Sequence, residues 1–285
     1  MNNASRARES SPSADRPASH TVSGPALWRV LYGTYAWLQF LLIGLVTLVL
    51  LLCLPTLRAR RALTRGSARL ALALGGMRVR THALGTLPMP CIVVANHASY
   101  LDGVLLNALL PTDFSFVIKR EMSSVPLAGL LLRRLGAEFV ERRGRAQGLG
   151  DARRLLRQAS SGEALVFFPE GTFSPVVGLL HFHTGAFTAA VRANLPIVPI
   201  AIRGTRRCLS PGSSWPCPGR IEVEALPAIL PHSPTSAPAP STPEMPTATV
   251  PESGHSSERR RATELRDRAR AALLSALGEP DLAVC

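Results

Sequence analysis

Lysine is all but missing from this chain: of 32 basic side chains, Lys119 alone is lysine and the rest are arginine. So one-sided a choice reflects genome composition, but the formal charge of +13 still calls for an anionic partner, either nucleic acid or lipid headgroups. Aromatic residues are scarce, at 5%, and no basic face interleaved with aromatics or nucleic-acid-binding motif is present, which argues against nucleic acid. The five cysteines, Cys53, Cys91, Cys208, Cys217 and Cys285, form no C-x-x-C pair and no cluster with histidine. That excludes the common zinc frameworks, and neither a metal nor a cofactor is expected. Cys53 lies in an apolar stretch and Cys91 opens a strand, so both read as small buried hydrophobes. There is no G-x-S-x-G elbow for a serine nucleophile and no internal repeat.

What the chain does have is one long uncharged run. Residues 30–57 carry no charged side chain, and the core from Leu38 to Leu54 is dense in leucine. About 20 apolar residues cross a bilayer, so a transmembrane helix is expected over Leu31 to Leu54, with a shallow or re-entrant helix as the alternative. Trp28, Tyr32, Tyr35 and Trp37 cluster at its start, as interface aromatics do. A cleaved signal peptide would show small residues after its apolar core, whereas Leu52-Cys53-Leu54-Pro55 follows. Arg58, Arg60, Arg61, Arg65 and Arg69 crowd the far flank, so the positive-inside bias predicts a single-pass protein whose main domain faces the cytoplasm, at the inner membrane if the source is bacterial. Composition divides the chain into a disordered N-terminus (1–25), the apolar segment (26–57), a basic membrane-proximal helix or linker (58–82) and a main domain (83–229). A Pro/Ser-rich linker (230–256) and an amphipathic C-terminal helix and tail (257–285) follow. Two stretches read either as helices on lipid or as helices packed on the domain: Leu63 to Leu74, and Ser257 to Leu277 with its Leu265, Ala269, Ala272, Leu273 and Leu277 stripe.

Within the main domain, strand-like and helix-like segments alternate. Strands are expected at Cys91–Ala95, Phe114–Ile118, Ala137–Val140, Ala164–Phe168 and Ile197–Ile202, with an edge strand at Ile221–Ala225. Helices are expected at Leu101–Leu110, Pro126–Leu135, Gly150–Ala159 and Gly185–Ala193. The fold class is therefore α/β, a largely parallel sheet flanked by helices, preceded by an N-terminal transmembrane helix.

Two strand ends carry chemistry. After Cys91-Ile92-Val93-Val94-Ala95 come Asn96, His97, Ser99 and Asp102. On one continuous helix His97 and Asp102 would point about 140° apart. If the helix starts between them, Ser99 serves as N-cap and Asp102, three residues on, reaches back toward the His97 ring. A carboxylate on one ring nitrogen fixes the tautomer and leaves the other to take a proton. The second strand end, Phe167-Phe168-Pro169-Glu170-Gly171-Thr172, repeats the plan of apolar strand, abrupt turn and polar residues.

Together these blocks resemble the glycerolipid acyltransferase family, the lysophosphatidate-acyltransferase-like enzymes (1-acyl-glycerol-3-phosphate acyltransferases). The resemblance rests on Asn96-His97 with Asp102, on Phe139, Val140 and Arg142, on Phe168 to Thr172, and on Ile197-Val198-Pro199-Ile200, in the family's order. It implies His97 as general base and Asp102 as its orienting partner. Glu170, Gly171 and Thr172 would bind the acceptor, Arg142 would contact its phosphate, and Asn96, Ser99 and Lys119 would complete the site. It further implies transfer of a fatty acyl group from acyl-CoA or acyl carrier protein to the hydroxyl of a lyso-glycerolipid in phospholipid biosynthesis, with lysophosphatidate as the first acceptor to consider. Membrane lipid and the acyl donor are then the partners, and nucleic acid is not. The chain departs from the pattern at Phe173, where arginine is frequent, and at Phe182-His183-Thr184-Gly185, where Phe-Lys-x-Gly is frequent. Both changes remove a permanent cation, which brings lyso-ornithine lipid or another lysophospholipid forward as alternative acceptor. A lipid hydrolase and a membrane adaptor are the rival classes.

Overall fold

The computed structural model describes residues 26–140, 162–231 and 254–283. Seven strands form one sheet: β1 (Met77–His82), β2 (Ile92–Ala95), β3 (Phe114–Lys119), β4 (Glu138–Val140), β5 (Ala164–Phe167), β6 (Ile197–Arg203) and β7 (Gly219–Ala225). Their spatial order is β1-β7-β6-β2-β5-β3-β4. Every neighbouring pair runs parallel except β6 and β7. The central strands β2 and β5 are buried along their whole length, as continuous apolar runs in a parallel sheet should be.

Helices cover both faces. Alternate residues of β2 divide between two cores, Val93 and Ala95 on one side, Ile92 and Val94 on the other. The first core receives α2 (Leu57–Leu74) and α3 (Leu101–Leu109). The second receives α5 (Gly185–Ala193) and α7 (Gly254–Leu277), through Ala262, Leu265, Ala269 and Leu273 of the latter. The short α4 (Ala128–Arg134) follows a 3₁₀ turn over Arg120–Ser124, and α6 (Thr205–Cys208) follows β6. The helix expected over Gly150–Ala159 lies outside the described residues.

Two expectations change. Ile221–Ala225 is not an edge: β7 is sandwiched between β6 and β1. The edge is β1, inside the stretch read as basic helix or linker; Arg78 and Arg80 alternate with partly buried Val79, and the charges hid a half-exposed strand from a search for apolar runs. The N-terminal apolar helix, α1 (Ala26–Cys53), is long and apolar enough to cross a membrane and leaves most of its side chains exposed. It pairs with α2 as an antiparallel hairpin. Tyr32 donates to the Gly75 carbonyl, Gln39 Nε2 to Ala71 at 3.3 Å, and Thr47 Oγ1 to Ser67 Oγ at 2.7 Å. α2 in turn docks on the domain. Arg61 is buried, donating to the carbonyls of Leu135 (3.1 Å) and Thr112 (3.0 Å) and to Ser115 Oγ. Arg65 and Arg69 reach the last carbonyls of α3, at Ala108 and Leu109, where a helix end presents partial negative charge.

Candidate active site

Parallel pairing brings the C-terminal ends of β2 and β5 together, with Val94 opposite Phe167. Open α/β sheets bind ligands at such ends, and here they deliver Asn96-His97 and Phe168-Pro169-Glu170 side by side. The His97 Nδ1 lies 2.9 Å from Asp102 Oδ2. The same oxygen accepts the backbone N–H groups of Ala98 (2.7 Å) and Ser99 (2.8 Å). An oxygen already receiving two N–H donors is an acceptor, so the ring's Nδ1 carries the proton and Nε2 carries the lone pair. Asp102 is fully buried, whereas the His97 ring is 18% exposed. That difference suits a base that must meet a substrate while its partner stays dry.

The capping geometry differs from the one expected. α3 begins at Leu101, as expected, but Tyr100 rather than Ser99 takes the cap position, and Asp102 sits in its first turn. Asp102 does reach back to the Ser99 N–H, but the Ser99 hydroxyl accepts from Leu101 N–H at 3.2 Å and donates to the Leu209 carbonyl at 2.7 Å. Ser99 is thus a buried tie between the loop after β2 and Leu209, which follows α6.

Asn96 and Glu170, expected to bind substrate, likewise spend their polar atoms on backbone. Asn96 Nδ2 donates to the Ile202 carbonyl (2.9 Å), and its Oδ1 accepts the Ile202 N–H (2.7 Å). Glu170 Oε1 accepts the His97 N–H at 2.6 Å, and Oε2 accepts the Leu180 N–H at 2.9 Å. Burial raises the Glu170 carboxyl to about 7, although the two backbone donors oppose the shift. Gly171 closes the turn, its N–H bonded to the Phe168 carbonyl at 3.0 Å, with φ of +73°, a conformation that favours glycine. Thr172 is exposed beside it. Lys119 ends β3, with β5 between that strand and β2, and pairs with Glu121 at 3.0 Å on the surface, so it does not join His97. Arg142 lies outside the described residues.

Aromatic rings wall the site. His97 stacks on Phe168 (centroids 4.3 Å, 25°) and meets Phe173 edge-on (4.7 Å, 79°). Tyr100 packs against the other side of Phe173 at 4.6 Å. Tyr100 also borders an apolar cavity of about 100 Å³, and Phe40, Ala71 and Val104 line both it and a larger one of about 230 Å³ between α1 and the domain.

Two arginines escaped the sequence reading. Arg206, on α6, donates to the carbonyls of Ser174 and Val176 and so pins the loop that carries Phe173. The available signal was a third strand end, the turn after β6. Arg270, on α7, donates to the carbonyls of Leu179 (3.0 Å) and Leu180 (3.3 Å) and pairs with Asp281. Leu180 is the residue whose N–H reaches Glu170, so α7 braces the back of the site. Nothing local in the sequence links positions 180 and 270.

A histidine held by a buried carboxylate at the end of a central parallel strand, with apolar cavities nearby, can act chemically as a general base. Residues 78–203 match the family described as Acyltransferase. A lyso-ornithine lipid O-acyltransferase of Rhizobium meliloti (strain 1021) is 37% identical over 166 residues, covering 55% of this chain and 56% of that protein. The lysophospholipid acyltransferase LPCAT4 of Homo sapiens is 36% identical over 161 residues, 55% of this chain and 29% of that protein. The chain therefore spans little more than half of the first relative and less of the second. The crystal structure of PlsC, the 1-acyl-sn-glycerophosphate (LPA) acyltransferase of Thermotoga maritima, shares the fold. Its TM-score is 0.60 at 21% identity, over 85% of this chain and 97% of that one.

Proposed function

We propose that the protein transfers a fatty acyl group from acyl-CoA or acyl carrier protein to the free hydroxyl of a lyso-glycerolipid. The observation that carries this reading is the threefold use of Asp102 Oδ2, which leaves His97 Nε2 as the proton acceptor at the site. Nε2 takes the hydroxyl proton as the oxygen attacks the thioester carbonyl. The C–S bond then breaks, and the departing thiolate takes the proton from the imidazolium. A positioned base contributes roughly 100- to 10,000-fold in rate. Because the thioester is already activated, neither an acyl-enzyme nor a cofactor enters the scheme. The apolar cavities, the smaller of them bordered by Tyr100, suit acyl chains, and Arg142 is assigned to the acceptor's phosphate.

Lysophosphatidate is the first acceptor to test. A second reading, a lyso-ornithine or other zwitterionic lyso-lipid, is favoured by Phe173, whose ring stands beside His97. Thiol release from acyl-CoA by the purified protein, across lyso-lipids with and without a phosphate, separates the two. His97→Ala should lower turnover at least 100-fold with binding to membranes and thermal melting unchanged; near-normal turnover refutes the assigned base.

In this reading α1 is embedded in the membrane and the domain faces the cytoplasm. The bonds along the α1–α2 hairpin favour a shallow, in-plane helix over a perpendicular crossing, because a crossing would draw the arginines of α2 into hydrocarbon. Cysteines placed at Trp28 and Pro55 should then both react with a charged maleimide from one side of the membrane; reaction from opposite sides means a crossing.

A further inference from the structure

We infer that residues 119–134 form a second lipid-docking surface, separate from α1, which seats on an anionic bilayer interface at the rim of the larger apolar cavity. The stretch opens with Lys119-Arg120 and closes with Arg133-Arg134, and between these pairs its single acid is Glu121. Four apolar residues between them are exposed: Met122 at 39%, Val125 at 42%, Leu127 at 64% and Leu130 at 37%. Cations at both ends of an apolar protrusion match the layering of a membrane interface, with headgroup phosphates outside and acyl chains within.

The backbone is shaped to produce this exposure. Leu127 adopts φ of +61°, a conformation costly for a residue with a side chain, and it is the most exposed apolar residue of the stretch. The turn before it is tight enough that a Cβ on Gly129 would stand 2.3 Å from the Ser123 carbonyl oxygen.

The opposite side of the same element identifies the occupant. Leu131, Leu132 and Leu135 line the larger cavity together with Phe40, Ile43 and Gly44 of the apolar helix α1. The protrusion and α1 therefore flank one cavity, and the lipid that accommodates α1 is the phase adjoining the protrusion. An acyl chain could then enter from the hydrocarbon layer without crossing water. Only this role for the cavity rests on the acyl-transfer reading; the docking does not.

The test uses the full chain with Cys53, Cys217 and Cys285 changed to Ser and Leu127→Cys labelled with nitrobenzoxadiazole, reconstituted in phosphatidylglycerol/phosphatidylethanolamine vesicles. Glu264→Cys on the exposed side of α7 is the control site. The expected result is quenching at 127 by doxyl-labelled lipid and protection from iodide, with the reverse at 264. Equal access of iodide to both sites overturns the proposal. So does protection at 127 that appears only on adding acyl carrier protein, because an acidic protein would then be the partner. In the activity arm, Met122→Asp with Leu127→Asp should lower turnover of a vesicle-embedded acceptor about tenfold, equivalent to about 1.4 kcal/mol, and spare a short-chain monomeric acceptor. Equal loss on both acceptors overturns the entry route. If the wild-type chain turns over neither acceptor, the acyl-transfer reading fails while the quenching result still decides the docking.

Discussion

Two arginine-rich helices cover opposite faces of the sheet, and they use the same residue type for different ends. α2 lies over the first core, where Arg61, Arg65 and Arg69 reach the loop before β3, the end of α4 and the end of α3. α7 lies over the second core, where Arg270 reaches the carbonyls of Leu179 and Leu180 behind Glu170. On both helices the arginine stem crosses apolar surface while the guanidinium finds main-chain oxygens. The difference lies downstream. The α2 arginines secure the frame around the larger cavity, whereas Arg270 secures the stretch whose Leu180 N–H meets Glu170, the carboxyl that also accepts the His97 N–H. One face is built for stability and the other is wired to the site.

Breaking Arg61 should have the largest effect. Arg61→Met leaves the Leu135 and Thr112 carbonyls and the Ser115 hydroxyl without this donor, and Glu163, 3.7 Å from Arg61, is left with its bond from Ser115. A loss of about 3 kcal/mol is expected, read as a lower melting point in detergent, with turnover per folded molecule little changed. Turnover falling in step with no loss of stability would erase the contrast between the faces.

Glu170→Gln comes next. An amide offers one acceptor where the carboxylate offers two, so either the His97 or the Leu180 N–H loses its partner, at a cost of about 1–3 kcal/mol. The expected result is a fall in kcat with less change in KM. The variant also sharpens a pH argument. The folded carboxyl titrates near 7 against an ordinary 4.5, so between those values the folded protein binds the proton more tightly than the unfolded chain. Stability therefore falls as pH rises through that window. Denaturant melts at pH 5 and pH 8 should show this decline in the wild type, and Glu170→Gln should flatten it; equal slopes would mean that Glu170 is not the titrating group.

The smallest effect is expected at Arg270→Ala. Part of what it loses is an ion pair with the partly exposed Asp281, worth little alone. The expected outcome is a severalfold fall in kcat, an acceptor KM within about twofold, partial rescue by Arg270→Lys, and a melting point within a few degrees. An unchanged kcat would make α7 a lid over apolar surface and nothing more.

What the sequence disclosed follows from distance along the chain. His97 and Asp102 are five residues apart across a strand-to-helix turn, so local geometry sufficed to pair them, and Gly185–Ala193 appears as a helix with the bounds that its composition suggested. The role of Glu170 was beyond reach, because its partners are the main-chain N–H of His97, 73 residues earlier, and that of Leu180. β1 was hidden by its alternating arginines, and the place of β7 depended on β1 being found. α2 and the C-terminal helix were each left between lipid and the domain, because an arginine seeking a phosphate and one seeking a carbonyl look alike in one dimension.

Asn96 has a consequence of its own. Its amide presents one donor and one acceptor to the peptide at Ile202, as a further residue of β2 would, so it serves as an artificial rung that lengthens the ladder by one step. What it reads at position 202 is main chain, while the Ile202 side chain is buried separately in the first core. Position 96 needs the amide: aspartate is the same size but cannot donate to the Ile202 carbonyl, and the rung would fail on one side. Any slip between β2 and β6 would then be passed on to the next residue, His97, the base of the proposed reaction.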